Sequence, residues 1–309
     1  MHPLAGIYAA AVTPLDRNGH PIPKAIPPLL EFLARRGCHG ALILGTTGEG
    51  PSFSPAERLA IMEAATRVRE TVPDFRLFAG TGTPSLTETA DLTRAAFDLG
   101  YDGVVVLPPY YFRTASEEGL FRWFAALLES AVPADGALFG YHIPQVSGVG
   151  FSLDLLARLR DAFPNFVGIK DSTGDPAHAE ALGARFGDDL LVLNGNDRLL
   201  SHALANQAGG AITALANLAS PFARRVWDAH RRGEADAAAQ ATLNAARDAL
   251  EAFPPFAPTV KALLHRLYDF PEWAVRPPLL PLAADKATKA ALVMKNALKT
   301  ADYADFTEN

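Results

Sequence analysis

Short apolar segments recur along the chain at a spacing of roughly 25–35 residues, and most are apolar at every position rather than at alternate ones. A strand covered on both faces of a parallel sheet has this continuous pattern, whereas a strand with one face in water alternates. The sequence therefore predicts eight buried parallel strands, at residues 7–12, 41–44, 76–79, 103–107, 137–141, 166–170, 190–194 and 210–213.

Amphipathic stretches separate these segments, and several of them carry signals of a helix boundary. A serine or threonine precedes a glutamate by three positions at 54–57, 85–88 and 114–117, which is typical of a capping box at a helix start. Gly37 and Gly100 stand where two helices are expected to end. The segments between the strands are therefore predicted to be helices.

Strands that alternate with helices over about 220 residues predict an α/β fold, a closed (β/α)8 TIM barrel, with an open doubly wound sheet as the alternative. Beyond this part the pattern is helical only. Residues 222–252 are rich in Ala and Arg, and an amphipathic stretch at 259–268 follows a proline-rich break. We therefore predict a barrel at residues 1–220 and a C-terminal helical extension, packed on the barrel, at residues 221–309.

Composition narrows the function classes. The chain has 309 residues, is 49% hydrophobic and carries a formal net charge of −6 without a basic stripe, which argues against disorder and against a nucleic-acid partner. Cys38 is its one cysteine, and the N-terminal residues lack the pattern of a signal peptide. A single cysteine and the lack of that pattern fit a reducing cytoplasm, which we expect as the location. No apolar run in the C-terminal half approaches about 20 residues, so we expect no membrane partner.

Polar residues follow five of the predicted strands. In a barrel of this type the chemistry lies at the C-terminal ends of the strands, so these residues are expected to share one rim. The segments are residues 45–49, 108–111, 141–142, 170–171 and 194–198.

Lys170 ends the sixth predicted strand. A buried ammonium is unfavourable unless it is paired or loses its proton, and a neutral lysine amine attacks carbonyl carbons to form imines. The strand pattern fits such a nucleophile as well as it fits a surface lysine paired with Asp171.

Three other features could serve the same chemistry. Tyr141 ends the fifth strand, where its phenol is either a proton shuttle or a packed core group, and Tyr111 offers a second phenol. Thr46, Thr47 and Gly48 form either a cradle of hydroxyl and N–H groups for a carboxylate or an ordinary turn.

Other chemistries find little support in the sequence. The eight histidines are scattered and form no HxH or HExxH motif, so we expect no metal. No P-loop, GxGxxG or GxSxG motif is present.

Six short motifs, taken together in their order and spacing, carry a family resemblance that spans Gly6 to about Leu282. They resemble the dihydrodipicolinate synthase / N-acetylneuraminate lyase family of class I aldolases. The motifs are Gly45-Thr46-Thr47-Gly48-Glu49, Ala79-Gly80-Thr81-Gly82, Pro109-Tyr110-Tyr111, Tyr141-His142-Ile143-Pro144, Gly168-Ile169-Lys170-Asp171-Ser172-Thr173-Gly174-Asp175 and Gly210-Ala211-Ile212-Thr213.

The resemblance implies a role for each matching residue. Lys170 would form the Schiff base, and Tyr141 would transfer protons. Thr46 and Thr47 would bind the pyruvate carboxylate and relay protons, while Ile212 would line the pyruvyl pocket. Tyr111 matches a tyrosine that in the synthases completes a neighbouring subunit's site. The resemblance also implies a homotetramer built as a dimer of dimers, and a reaction without a cofactor or metal.

Two departures from the family pattern bear on the substrate. Val146 occupies the position of an arginine that in the synthases binds the aldehyde's carboxylate, and valine cannot form that bidentate pair. Neuraminate lyases carry an acidic residue directly after the aspartate that corresponds to Asp197, whereas Arg198 stands there in this chain and suits an acidic aldehyde half or faces solvent.

We therefore expect a Schiff-base lyase that cleaves or forms a 2-oxo-3-deoxy sugar acid, or a related 4-hydroxy-2-oxo acid, with pyruvate and an aldehyde as its small-molecule partners. The alternatives within the family are 4-hydroxy-tetrahydrodipicolinate synthase, N-acetylneuraminate lyase and a dehydratase that uses the same imine. Outside this class, the alternative is a non-catalytic binder of 2-oxo acids.

Overall fold

Eight parallel strands form a closed barrel in sequence order. The computed structural model describes residues 2–299, and in it each strand pairs with its neighbours along the chain while the last strand returns to the first. Gly6–Ala9 of the first strand pair in register with Gly210–Thr213 of the last. This closure confirms the predicted (β/α)8 barrel and excludes the open sheet, because an open sheet leaves two strand edges unpaired.

The strand positions agree with the prediction to within two residues, the largest difference lying at the end of β1. Each predicted segment forms one strand because apolar residues that recur at every position bury both faces of the sheet. The strands are β1 Gly6–Ala10, β2 Gly40–Ile43, β3 Arg76–Gly80, β4 Gly103–Val106, β5 Leu138–His142, β6 Phe166–Asp171, β7 Leu191–Asn194 and β8 Gly210–Thr213.

Helices connect the strands and continue beyond the barrel. They are α1 Ile26–Arg35, α2 Pro55–Thr66, α3 Leu86–Asp98, α4 Glu117–Ala131, α5 Pro144–Ser147, α6 Leu153–Ala162, α7 Pro176–Phe186, α8 Leu200–Ala205, α9 Ala216–Arg231, α10 Ala237–Glu251, α11 Phe256–Tyr268 and α12 Ala284–Lys299. Among residues 2–299, no helix combines the length and the apolar character needed to cross a membrane.

The helix boundaries largely follow the predicted signals. Ser54 forms a full capping box with Glu57, and Ser85 caps α3 by accepting the N–H of Glu88. The left-handed Gly37 and Gly100 follow the ends of α1 and α3 (φ 91° and 77°). These observations confirm the predicted starts of α2 and α3 and the two glycine-terminated ends.

The prediction of a cap at Thr114 was wrong, because α4 begins two residues later. The N–H of Ala115 bonds the carbonyl oxygen of Phe112, so Thr114 lies inside a turn. Ser116 is the N-cap instead, and its hydroxyl accepts the N–H of Gly119.

Alternation along the strands divides the buried side chains into two layers. Side chains that point into the barrel form one cluster, which includes Tyr8, Phe78 and Phe139. These three rings contact one another in turn, with centroids 4.8 and 5.2 Å apart, and fill the lower part of the barrel. The side chains of opposite parity pack against the surrounding helices in a second, larger cluster. Side chains therefore fill the barrel interior toward the N-terminal ends of the strands, and open space in it is expected near the C-terminal ends.

The C-terminal helices pack on the barrel and on one another. α9 lies against β1 and β8, and it bends at Ala219 (φ −125°), two residues before Pro221, as expected where a proline cannot continue the helical hydrogen bonds. α10 packs against α9 and α12, and α11 packs against α12. The predicted division at residue 220 falls within α9 and stays a prediction, and residues 300–309 of the predicted extension lie outside the described residues.

Candidate active site

A cavity of about 430 Å³ opens at the C-terminal end of the barrel. This volume and this position are typical of small-molecule sites in barrel enzymes. The cavity is lined from several elements, and the lining includes Ala10, Thr46, Thr47, Tyr141, Ile143, Gln145, Val146, Lys170, Ser172, Thr173, Asn196, Ile212, Arg247, Glu251, Phe256 and Leu279. Six of the ten residues that the sequence proposed for the site are among them.

Lys170 reaches the cavity from β6 and is 3% exposed. Its Nζ lies 4.0 Å from the centre of the Tyr141 ring. The neighbouring Asp171 does not pair with it, because alternation along the strand directs the Asp171 carboxylate away from the barrel interior, where it accepts bonds from Thr173. Lys170 is therefore a buried amine that faces the cavity rather than a surface lysine paired with Asp171.

Tyr141 stands beside Lys170 because the two residues are register partners on β5 and β6. The hydroxyl groups of Tyr141 and Thr46 are 3.4 Å apart. Burial by itself raises the pKa of the phenol. The positive charge of Lys170, together with hydrogen bonds to Thr46 and Ser172, lowers it by more, so the pKa of Tyr141 lies below its ordinary value. A phenol with a lowered pKa is suited to accepting a proton in a reaction.

The loop at residues 45–49, here called the carboxylate loop, brings Thr46 and Thr47 to the cavity from the end of β2. Gly48 does not line the cavity but is needed for the path of the loop, since a Cβ there would lie 2.8 Å from the carbonyl oxygen of Ala11. The carbonyl of Gly48 accepts a bond from Thr13 at 2.6 Å. The loop thus presents hydroxyl groups in a fixed, tightly packed turn.

Ile212 and Val146 both line the cavity but differ in their exposure to solvent. Ile212 is fully buried on β8 among the side chains that point into the barrel. Val146 lies on the short α5 and is 56% exposed, so it forms an apolar part of the entrance. The inner part of the cavity is therefore apolar on the β8 side.

Asp197 and Arg198 lie behind the wall of the cavity rather than in its lining. Asp197 is 2% exposed and pairs with Arg247 of α10 at 3.0 Å. Arg198 pairs with Asp248 and with Glu251, the latter at 2.7 Å. The carboxylates of α10 therefore engage Arg198, and the cavity wall in this region consists of Arg247 and Glu251.

Arg247 and Glu251 were missed by the sequence reasoning. They are one helical turn apart on α10 and bond each other at 2.7 Å. Their spacing alone signals only a common surface pair of a helix. Neither residue lies near a predicted strand end, and only the packing of α10 against the turn at Asp197–Leu199, after β7, directs them to the cavity.

Tyr111 is not brought to the cavity of its own chain. Its side chain is 78% exposed on the loop after β4, and its ring contacts Phe112 edge-on with the ring centres 5.5 Å apart. Phe112 is also exposed, at 57%. The two rings form an aromatic projection close in sequence to the strand ends.

Two histidines that are distant in sequence meet beside Asp171, outside the barrel. His142 and His178 stack with ring centres 4.9 Å apart, and the Nε2 of His178 lies 4.0 Å from the Asp171 carboxylate. No sequence motif indicates this cluster, which has the residue types of a metal site.

The hydrogen bonding of His142 does not fit metal ligation. Its Nδ1 accepts the backbone N–H of Phe151 at 2.9 Å, so the proton of the neutral ring is on Nε2 and that nitrogen has no lone pair to offer. A ligating histidine instead donates its second N–H to an acceptor. Burial, with the charge of His178, lowers the pKa of His142 to about 4, so the ring is neutral near pH 7.

Comparison with known proteins places the chain in a family. Residues 3–297 match the model of the dihydrodipicolinate synthetase family. A DapA-like lyase of Chloroflexus aurantiacus, itself uncharacterised, is 42% identical over 283 residues, which are 91% of this chain and 93% of the relative. The 4-hydroxy-tetrahydrodipicolinate synthase 2 of Halalkalibacterium halodurans is 31% identical over 283 residues, covering 91% of this chain and 94% of that protein.

Solved structures support the same relationship. The prophage protein YagE of E. coli K12, solved in complex with pyruvate, superposes with a TM-score of 0.88 at 26% identity and covers 96% of this chain and 99% of its own. The 4-hydroxy-tetrahydrodipicolinate synthase of Methylacidiphilum fumariolicum SolV superposes with a TM-score of 0.87 at 29% identity, covering 96% and 97% of the two chains. The chain therefore belongs to the dihydrodipicolinate synthetase family and is a lyase.

Proposed function

We propose that this chain is a class I aldolase that cleaves or forms a 2-oxo-3-deoxy sugar acid, with pyruvate as one product, through an imine on Lys170. The observation that carries the proposal is the meeting of a buried Lys170, the Tyr141 phenol and the hydroxyl groups of the carboxylate loop in one cavity. A site that only binds 2-oxo acids has no need of an amine nucleophile at this position.

Binding begins at the carboxylate of the 2-oxo acid. Thr46 and Thr47, with N–H groups of their loop, hold it beside Lys170. The Lys170 amine then attacks the C2 carbonyl, and loss of water from the carbinolamine leaves a protonated imine. Tyr141, next to the amine and within reach of Thr46, donates and accepts the protons of this step.

Cleavage uses the imine as an electron sink. Tyr141 takes the proton of the C4 hydroxyl, the bond between C3 and C4 breaks, and its electron pair moves through C2 to the imine nitrogen. The aldehyde leaves, and the remaining enamine takes a proton at C3. Hydrolysis of the imine then releases pyruvate and frees the Lys170 amine.

The outer part of the cavity supports an uncharged, hydroxyl-bearing aldehyde half. Gln145, Thr173 and Asn196 supply neutral hydrogen-bonding groups there. Arg247 is already bonded to Asp197 and Glu251, so its charge is neutralised before a substrate binds. No cation of the described lining other than Lys170 is free to pair with a second carboxylate.

This charge balance weighs against an aldehyde half that carries a carboxylate. A synthase acting on aspartate semialdehyde needs a cation for the aldehyde's carboxylate, and the exposed Val146 supplies none. Arg198, the cation that the sequence offered for an acidic aldehyde, is engaged by Asp248 and Glu251 and does not line the cavity. A neutral sugar aldehyde fits these surroundings better.

Assembly is part of the proposal. The exposed pair Tyr111 and Phe112 projects from the rim of the barrel, and an exposed aromatic pair is typical of an interface. We propose that Tyr111 enters the site of a second copy of the chain within a homotetramer. Sedimentation of the wild type and of Tyr111→Ser would test this, with a loss of assembly and of activity expected together.

The imine is tested by trapping. The protein is incubated with pyruvate and borohydride, weighed intact and digested for peptide mapping. We expect a mass gain of one reduced pyruvyl group on Lys170. The Lys170→Met variant, which keeps the buried volume, should gain nothing, whereas Lys295→Ala, at an exposed position of α12, should behave as the wild type. The absence of an adduct with pyruvate and with larger 2-oxo acids would overturn the proposal.

The substrate class is tested by product analysis. A panel of 2-oxo-3-deoxy acids with neutral and with acidic tails is supplied, and pyruvate release is measured. We expect release from neutral polyhydroxylated substrates. Products that retain all carbons but have lost water would instead identify a dehydratase, and release only from substrates with an acidic tail would refute the charge argument.

A further inference from the structure

The carboxylate loop is bounded by two residues in an unusual backbone conformation. Leu44 and Glu49, neither of them glycine, have φ values of 61° and 58°. Residues with side chains rarely adopt this left-handed region and hold it only where their surroundings fix them. Hydrogen bonds within the loop are part of this support, since the N–H of Glu49 bonds the carbonyl of Thr46 at 3.2 Å. The turn that presents Thr46 is therefore closed by the backbone hydrogen bond from Glu49.

The Glu49 side chain is buried in an ion pair with the C-terminal helices. Its carboxylate accepts a bond from Nζ of Lys261 on α11, and the exposed fractions of the two side chains are 0% and 1%. A second bond comes from the backbone N–H of Arg276 at 2.9 Å. Lys261 in turn donates to the carbonyl of Ala274 at 2.7 Å. The end of the loop is thus bonded to two distant parts of the chain. Lys261 lies 212 positions from Glu49 in the sequence, and Arg276 lies 227 positions from it.

Neither Glu49 nor Lys261 lines the cavity. A direct role in binding or in proton transfer is therefore excluded by position. Their carboxylate and ammonium groups satisfy each other and nearby backbone groups, which is the expected arrangement for a buried pair that fixes one geometry. Any effect of the pair on the reaction has to pass through the loop that Glu49 terminates.

We propose that Glu49 and Lys261 are positioning residues that fix the carboxylate loop, so that α11 sets how strongly the site recognises the substrate's carboxylate. This inference rests on the proposed function. The pair holds the loop in its left-handed turn, and the turn aims Thr46 and Thr47 at the space beside Lys170. When the pair is removed, the loop relaxes and carboxylate recognition weakens, while the amine of Lys170 stays in place on β6.

The test compares pyruvate with its methyl ester, which has the same ketone but no carboxylate charge. Borohydride trapping on Lys170 is measured against the concentration of each ketone, and the ratio of the two efficiencies gives the preference for the carboxylate. In Glu49→Gln and Lys261→Met we expect this ratio to fall about tenfold, with the trapping rate at saturating pyruvate little changed. A purely structural defect would reduce the active fraction and leave the ratio unchanged.

Two further variants make the result decisive. Glu57→Gln breaks the half-buried pair with the Arg276 side chain but leaves the Arg276 backbone N–H bonded to Glu49, and it should keep the wild-type ratio. A single substitution leaves one buried charge unpaired and can prevent folding. The double variant Glu49→Leu/Lys261→Met removes both charges, so we expect it to fold. It should still show the lowered ratio, because the apolar side chains form neither the ion pair nor the bond to the Arg276 N–H.

The outcomes separate the two proposals. Absence of an adduct in the wild type would overturn the proposed function and this inference with it. An adduct in the wild type combined with an unchanged ratio in the folded double variant would overturn the positioning role alone. The same fall of the ratio in Glu57→Gln would also overturn it, since the effect would then not depend on the Glu49–Lys261 pair.

Discussion

The buried pair between Asp197 and Arg247 gives a prediction that is independent of any substrate. Asp197 is 2% exposed, and its carboxylate bonds Nη1 of Arg247 at 3.0 Å. Arg247→Leu removes this partner and leaves a buried carboxylate uncompensated. The cost of such a change is about 3–5 kcal/mol.

A matched control, Arg198, contacts the same helix, α10, from the turn after β7. Arg198 also bonds Glu251, but its side chain is 31% exposed, and Asp248, its other partner, is 68% exposed. Screening by water limits the contribution of such a pair to under about 1 kcal/mol. Arg198→Leu therefore removes the same charge and a similar volume with a much smaller loss of unfolding free energy. The difference in unfolding free energy between the two variants then measures the effect of burial rather than that of charge.

The assay is urea unfolding followed by circular dichroism at one protein concentration. With an m-value of roughly 3 kcal/mol/M for a chain of this size, Arg247→Leu should lower the midpoint by about 1–1.7 M, and Arg198→Leu by less than about 0.4 M. Adding Asp197→Asn to Arg247→Leu should restore part of the loss, because the unpaired charge is then absent. Equal midpoints for the two single variants would refute the reasoning.

Three further predictions concern catalysis and capping. Tyr141→Phe should lower the rate of aldol cleavage by about 10²–10⁴-fold while Lys170 still forms a trappable adduct, as followed by pyruvate release and by intact mass. The pH profile of cleavage should rise with pH as the Tyr141 phenol ionises, at a pH below that of an ordinary tyrosine. Thr46→Val, which removes one of the bonds that lower this pKa, should move the rise to higher pH, and a profile that stays in place would contradict the assignment. Ser116→Ala should destabilise the protein by about 1 kcal/mol in urea unfolding, whereas Thr114→Ala should have little effect, because only Ser116 caps α4.

The barrel was predictable because its signals are local. Continuous apolar segments located every strand to within two residues, and the serines at 54 and 85 located two helix starts. Where two caps competed within a few residues, at Thr114 and Ser116, the pattern selected the wrong one. The choice between them depends on the turn that Phe112 and Ala115 form, and a turn of that kind leaves no periodic signature.

The candidate site was predictable in part for the same reason. Lys170 and Tyr141 end adjacent strands, and the alternation of side chains within a barrel directs both of them inward, so their meeting follows from the order of the strands. Asp197 and Arg198 also end a strand, yet they lie behind the wall, because α10 brings Arg247 and Glu251 between them and the cavity. A strand-end rule cannot anticipate a helix that arrives from 50 positions further along the chain.

Features that depend on near neighbours along the chain could be predicted from the sequence: the strands, several helix ends, and the residues that the barrel geometry gathers at one rim. Which charges are neutralised, and by which partners, depends on how distant segments pack. Glu49 and Lys261 are 212 positions apart, and His142 and His178 meet although nothing in the sequence relates them. A charge is stabilised by the groups that lie within a few ångströms of it in space, and the packing of α7, α10 and α11 on the barrel sets those distances.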